Sequence, residues 1–105
     1  MTIQVNSDKN IQASESFITK ITESLHDSLS RFDEFITRIE VFLADENSEK
    51  QGSNDKRCTI EVRIKGQNPE AVVATADDIG LALKQATEKA FQLVKTRTDK
   101  LKSHS

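Results

Sequence analysis

Between Ile36 and Lys65 the chain carries two runs in which apolar and polar residues alternate, separated by a polar loop that ends in Asn54-Asp55-Lys56-Arg57-Cys58. Successive side chains of a strand point to opposite faces. The first run therefore places Ile39, Val41 and Leu43 on one side, and the second places Cys58, Ile60, Val62 and Ile64 on one side. Both read as half-buried strands, and antiparallel neighbours need no crossover helix, so the two pair most simply as a hairpin. The other face then carries Arg38, Glu40, Phe42, Glu61, Arg63 and Lys65, and its charge predicts a sheet covered on one side only.

The rest of the chain supplies the cover. Thr2 to Val5 alternates briefly and reads as a short strand. Phe17, Ile18, Ile21, Leu25, Leu29 and Phe32 recur at spacings of three and four, which predicts a helix from about Ser14 to Arg31 with Ser14 or Ser16 as its N-cap. The segment Asp45 to Lys56 is wholly polar, with Gly52, Ser53 and Asn54, and reads as a solvated loop longer than most hairpin connections. The third strand runs to Gly66, Gln67-Asn68-Pro69-Glu70 is turn chemistry, and Ala71 to Thr75 reads as a fourth strand. Asp77 is placed to cap a last helix whose apolar face is Ile79, Ala82, Leu83, Ala86, Ala90 and Leu93. The expected fold is α+β, in the order β-α-β-β-β-α, with two helices on one face of a four-stranded sheet.

A chain of 105 residues that is 35% hydrophobic holds one core and buries roughly 60–70% of its unfolded surface, so residues 1–105 are expected to form a single domain ending in a frayed tail at 102–105. One cysteine supports neither a disulfide framework nor a zinc site of paired cysteines. With no signal-peptide core at the N-terminus and no run near the roughly 20 apolar residues of a membrane span, the expected setting is cytoplasmic, with no membrane partner.

The net charge is −2, but it is unevenly distributed. Residues 1–30 hold Lys9 and Lys20 against Asp8, Glu15, Glu23 and Asp27, whereas residues 84–102 hold six cations against Glu88 and Asp99 alone. A local basic field recruits phosphate even on a mildly acidic protein. Stepping about 100° per residue puts Lys84, Lys95 and Lys102 in one line opposite the alanines, with Phe91 within about 20° of it. An aromatic ring among lysines is a stacking platform for an unpaired RNA base. The alternative is an ordinary solvated helix face with Phe91 folded onto a neighbour.

These residues resemble a known family, the ribosome hibernation promoting factors, also called ribosome-associated inhibitors or sigma-54 modulation proteins. The likeness covers nearly the whole chain and rests on the element order, on Leu43-Ala44-Asp45-Glu46-Asn47, on Asp55-Lys56-Arg57-Cys58 with Glu61 and Arg63, and on Asp77 before a helix that ends in lysines and arginine. It is similar to the short-form branch. The resemblance implies a β-α-β-β-β-α protein that binds the small ribosomal subunit and its rRNA where messenger and transfer RNA would sit, silencing idle ribosomes without catalysis. In its light Lys84, Lys95, Arg97 and Lys102 become candidate RNA contacts, with Phe91 as a candidate stacking residue. Arg57, Arg63 and Lys65, with Arg38 on the neighbouring strand, are candidate phosphate contacts across the open sheet, against the alternative that Glu40 and Glu61 pair with them.

Other candidates have structural readings. Cys58 lies in step with Ile60 and Val62 and reads as a small buried hydrophobe. His26 and His104 have no third ligand at metal spacing. Asp77 and Asp78 are explained by capping and the helix dipole, and no nucleophile, base and orienting group are set together. No cofactor, metal or small-molecule substrate is expected. Phe42, on the charged face, marks a small contact site for a base, a partner protein or a second copy. The expected function is translation inhibition by steric occupancy of the small subunit, by a monomer or weak homodimer. The other reading is a protein-interaction module of the same fold, dimerising through its sheet.

Overall fold

A computed structural model describes residues 1–46 and 55–103. Its elements are β1 (Thr2–Ser7), α1 (Glu15–Leu29), one 3-10 turn (Ser30–Phe32), β2 (Ile36–Asp45), β3 (Lys56–Ile64), β4 (Glu70–Ala76) and α2 (Ile79–Ser103). The order is β-α-β-β-β-α, and the strands lie side by side as β1-β2-β3-β4. β1 and β2 are parallel, as a connection through a helix allows, and β2, β3 and β4 form an antiparallel meander. The polar loop expected from Asp45 to Lys56 lies largely outside the described residues. Its flanks extend the hairpin instead, through the pairs Ala44 with Arg57 and Asp45 with Lys56.

One face of the sheet is buried and the other is open. Ile39, Val41 and Leu43 of β2 and Cys58, Ile60, Val62 and Ile64 of β3 all point into the core. Ile36 is also buried although it lies three residues from Ile39, because the β2–β3 register shifts between Ile36 and Arg38. The bulge inserts one residue and restores the inward phase. It precedes Arg38, so Phe42 keeps its outward phase and is 42% exposed.

α1 begins as expected, with Ser14 Oγ accepting the Phe17 backbone N–H at 3.2 Å. Ile21, Leu25 and Leu29, one helical turn apart, fill the core from this side. α2 starts one residue later than expected. Asp78, not Asp77, is its cap: Asp78 Oδ2 accepts the Leu81 N–H at 3.2 Å and the Asp78 carbonyl accepts the Ala82 N–H at 3.0 Å. Its buried stripe is Ala82, Ala86, Ala90, Val94 and Thr98. Leu93, expected inside, is only partly covered, and Thr98 is buried because its hydroxyl donates to the Lys95 carbonyl at 3.2 Å. Lys102, expected at the start of a frayed tail, lies in the last turn of α2. Gly66, at φ +74°, turns the chain from β3 toward β4, and the Gln67 N–H donates to the Ile64 carbonyl at 3.0 Å.

Candidate nucleic-acid interface

The buried stripe of α2 advances in steps of four residues, and each such step turns it about 40° around the helix axis. A line of residues seven or eleven apart stays nearly straight. The lysine line, which lies opposite Ala86, therefore converges with the buried stripe toward the C-terminal end, where Thr98 is about 40° from Lys102. This geometry makes the candidate cations unequal.

Lys84 is exposed and has no partner among the described residues; it lines a groove of about 300 Å³ between the helices, with Ser24 and Ser28 across from it. Lys95 is exposed and reaches Asp99 Oδ2 at 3.2 Å, an i,i+4 pair of the weakly held surface kind. Lys102 is exposed with its Nζ 5.8 Å from the centre of the Phe35 ring, at the foot of the sheet. Arg97 points the other way. It donates to Gln67 Oε1 at 3.1 Å and pairs with Glu70, and so ties α2 to the start of β4. Lys89 also serves the fold, donating to the Val73 carbonyl of β4 at 2.7 Å.

Phe91 takes the packing alternative. Its ring centre is 5.5 Å from that of Phe32 at 59°, and the Arg31 guanidinium lies 5.5 Å from the Phe91 centre and 5.2 Å from that of Phe32. A base would have to displace Arg31 to stack there. Arg31 is a cation that sequence reasoning missed: its contact with Phe91 joins residues sixty positions apart, and periodicity carries no signal for it.

The sheet-face candidates are held by carboxylates. Arg38 Nε donates to Glu40 Oε1 at 2.8 Å and Arg63 Nε to Glu61 Oε1 at 3.4 Å, while Arg57 pairs with Glu46. Lys65 is the exception: its side chain is exposed with no partner among the described residues, and its backbone N–H donates to the Phe35 carbonyl at 2.9 Å. Lys65 and Lys102 thus meet around Phe35, with Arg31 on the adjoining turn. Both helices run toward this end, so their C-terminal dipole ends favour its cations.

The opposite end is acidic. Asp8 Oδ2 accepts the Asp45 N–H at 3.2 Å, and Lys56 bridges Asp45 Oδ2 at 3.3 Å and Asp55 Oδ1 at 3.1 Å. The hydrogen bond to Asp55 is the main cause that raises the Lys56 pKa above its ordinary value. Asp77 and Asp78 open α2 at the same end. Acidic side chains thus gather at the end where the two helices begin, and Arg31, Lys65 and Lys102 at the end where they finish.

His26 is exposed and His104 lies outside the described residues. Among the described residues no three His, Cys, Asp or Glu side chains are grouped to hold a metal ion, and no helix is long and apolar enough to cross a membrane. Cys58 is fully buried, and burial pushes its thiol pKa up to about 12, away from nucleophilic chemistry.

The sequence matches, over residues 3–102, the family described as sigma 54 modulation protein / S30EA ribosomal protein. Among solved structures, a ribosomal subunit interface protein from Coxiella burnetii superposes with a TM-score of 0.75 at 17% identity, covering 94% of this chain and 99% of that one. The N-terminal domain of Protein Y from Thermus thermophilus superposes with a TM-score of 0.66 at 18% identity, covering 91% of this chain and 98% of that one. A comparison with curated protein sequences gave no match. At these identities the solved structures establish a common fold, and the family match covers nearly all of the elements that build it.

Proposed function

The chain belongs to the sigma 54 modulation protein / S30EA ribosomal protein family, and from that premise we propose that it is a cytoplasmic ribosome-associated factor that inhibits translation by occupying the small subunit near the messenger and transfer RNA sites. The observation that carries the RNA-binding part is the exposed lysine line of α2. Lys84 is unpaired among the described residues, Lys95 is held only by a surface pair, and Lys102 lies over Phe35 beside the free Lys65. Separation of charge between the two ends supports an oriented approach, because a polyanion attracts the basic end and repels the acidic one. Lysine binds phosphate as a flexible point charge, which suits a backbone contact without base reading. Arg38, Arg57 and Arg63 are compensated by neighbouring carboxylates and Phe91 is covered by Arg31, so in this reading they are peripheral to the contact. Arg97 positions α2 rather than touching phosphate. The action needs no catalytic group, since a bound domain of this size excludes other ligands from the volume it fills.

Sedimentation with purified small subunits through a sucrose cushion tests this reading. Co-sedimentation is expected at low salt and should weaken by roughly 0.7–0.9 log units per phosphate contact for each log unit of added salt. Lys84→Glu, Lys95→Glu and Lys102→Glu together should abolish it while the thermal unfolding midpoint stays nearly unchanged, because all three side chains are exposed. Binding that survives this triple change would overturn the assignment of the surface, and no binding at either salt would overturn the function.

A further inference from the structure

The open face of the sheet is ordered in rows. Arg38 lies opposite Arg63 in the β2–β3 register, and in the next outward row Glu40 lies opposite Glu61. Like charges directly opposite each other across strands are unfavourable, and Arg opposite Glu would have been the favourable arrangement. Relief within the chain comes along each strand, through the Arg38–Glu40 and Arg63–Glu61 pairs, and for Arg38 also from Gln4 Oε1 on β1. The two rows thus lie side by side, one positive and one negative, and cancel each other in charge. The next row holds Phe42, Thr59 and Val73 in register, and Phe42 and Val73, 42% and 44% exposed, are two large apolar side chains on it.

A two-fold axis lying across the strands between the two charged rows exchanges them. It sets Arg38 and Arg63 of each copy over Glu40 and Glu61 of the other. We propose that this face is a self-complementary interface, and that its partner is a second copy of the same chain stacked sheet to sheet with strands antiparallel. The other two-fold in the interface plane, along the strands, would set like rows over like rows, so the charge pattern selects one orientation. Four strands about 4.8 Å apart and six to ten residues long give a projected area of roughly 400 Å² per copy. This is at the low end for specific association, so the dimer is weak and dependent on concentration. Both helix layers remain on the outside. The proposal therefore does not rest on ribosome binding, and it leaves Lys84, Lys95 and Lys102 uncovered while Lys65 lies at the edge of the stacked face.

Sedimentation velocity over a concentration series from about 10 µM to about 1 mM tests association in the range expected of a small interface. A weight-average sedimentation coefficient that rises from monomer toward dimer is expected, and a monomer at all concentrations overturns the proposal. Charge exchange then tests the face-to-face contact. Arg38→Glu with Arg63→Glu makes one variant, Glu40→Arg with Glu61→Arg the other, and circular dichroism confirms that each is folded. Each alone should stay monomeric, whereas an equimolar mixture should associate at least tenfold more tightly than either alone. A mixture that stays monomeric overturns the two-fold arrangement even if the wild type self-associates. Small-subunit binding by the Arg38→Glu, Arg63→Glu variant should persist. Its loss from a protein that does not dimerise would assign the face to RNA instead.

Discussion

The two helices cover the same face of the sheet by opposite means. α1 plugs the core with Ile21, Leu25 and Leu29, large side chains over the β1 side, while α2 lies over β3 and β4 on Ala82, Ala86 and Ala90. The separation of packed elements is set by the side chains at their contact, so an alanine face lets a helix backbone come close where a leucine face holds it off. Their outer surfaces differ as well. α1 carries Lys20 and His26 among Glu15, Glu23 and Asp27, whereas α2 carries the six cations between Lys84 and Lys102. Bulk that stabilises is thus concentrated on the short helix, and charge that recruits is concentrated on the long one. α2 can devote its outer side to lysines because a stripe of small side chains from Ala82 to Thr98, rather than a few large anchors, holds it in place.

Truncation of an α1 anchor should produce the largest stability change. Leu25→Ala removes a fully buried side chain and leaves a cavity among Ile21, Leu29 and the sheet, at a cost of roughly 2–5 kcal/mol in urea unfolding. A cost below about 1 kcal/mol would mean that α1 settles into the space, and that its large side chains are not anchors. The complementary change on α2 is enlargement. Ala86→Leu forces extra methylenes between the helix and β3–β4 and should cost roughly 1–3 kcal/mol by overpacking. Gln85→Ala, on the exposed side of the same turn, should stay within about 0.5 kcal/mol. A stabilising Ala86→Leu would show slack under α2 and break the contrast between the helices.

Much of this arrangement is legible from local periodicity, and what escapes it has identifiable causes. Period two placed Ile39, Val41, Leu43, Cys58, Ile60, Val62 and Ile64 correctly, and the α1 face followed from its spacing, because one side of each element simply faces the core. Ile36 joins that face only through a bulge, which cannot be read from alternation. On α2 the alanines are only weakly apolar and mark the face faintly, so periodicity favours Leu93, whereas the stripe that seats against the sheet continues through Val94 to Thr98. The candidate site was legible as charge and as angle on the helix, which located Lys84, Lys95 and Lys102. Its neighbours were not legible. Arg31 over Phe91, Arg97 on Glu70 and Lys102 over Phe35 all join distant parts of the chain, and only the fold decides which cations are occupied and which remain for a ligand.

Cys58 measures how tightly α2 seals the strand beneath it. The thiol sits on the buried side of β3, and burial moves its pKa from 9.0 to about 12. The folded state thus keeps the proton over a range in which the unfolded chain has released it. Stability is unaffected below pH 9 and is lost as pH rises toward 12, with a slope of up to about 1.4 kcal/mol per pH unit from this group. Subtracting the pH profile of Cys58→Ala should isolate that slope from the titration of lysines. At pH 8 an aromatic disulfide reagent should label Cys58 only at the rate of opening, and labelling at the rate of a free thiol would show that the alanine face does not close over β3.

The smallest expected effect concerns the first turn of α2, where two adjacent aspartates have different roles. Asp78 accepts the Leu81 N–H at the cap position, while Asp77 precedes the helix, so the two side chains meet the same dipole from different positions. Asp78→Ala should cost about 1 kcal/mol, as loss of an N-cap does, and Asp78→Asn should recover most of it because the amide oxygen also accepts. Asp77→Ala should cost less than Asp78→Ala. The reverse order would place the cap at Asp77 and start the helix one residue earlier. With α1, whose cap is Ser14, the equivalent change Ser14→Ala should cost a similar amount. Parity between the two caps, set against the disparity between Leu25→Ala and Ala86→Leu, would locate the difference between the helices in the side chains that meet the sheet and not in how either helix begins.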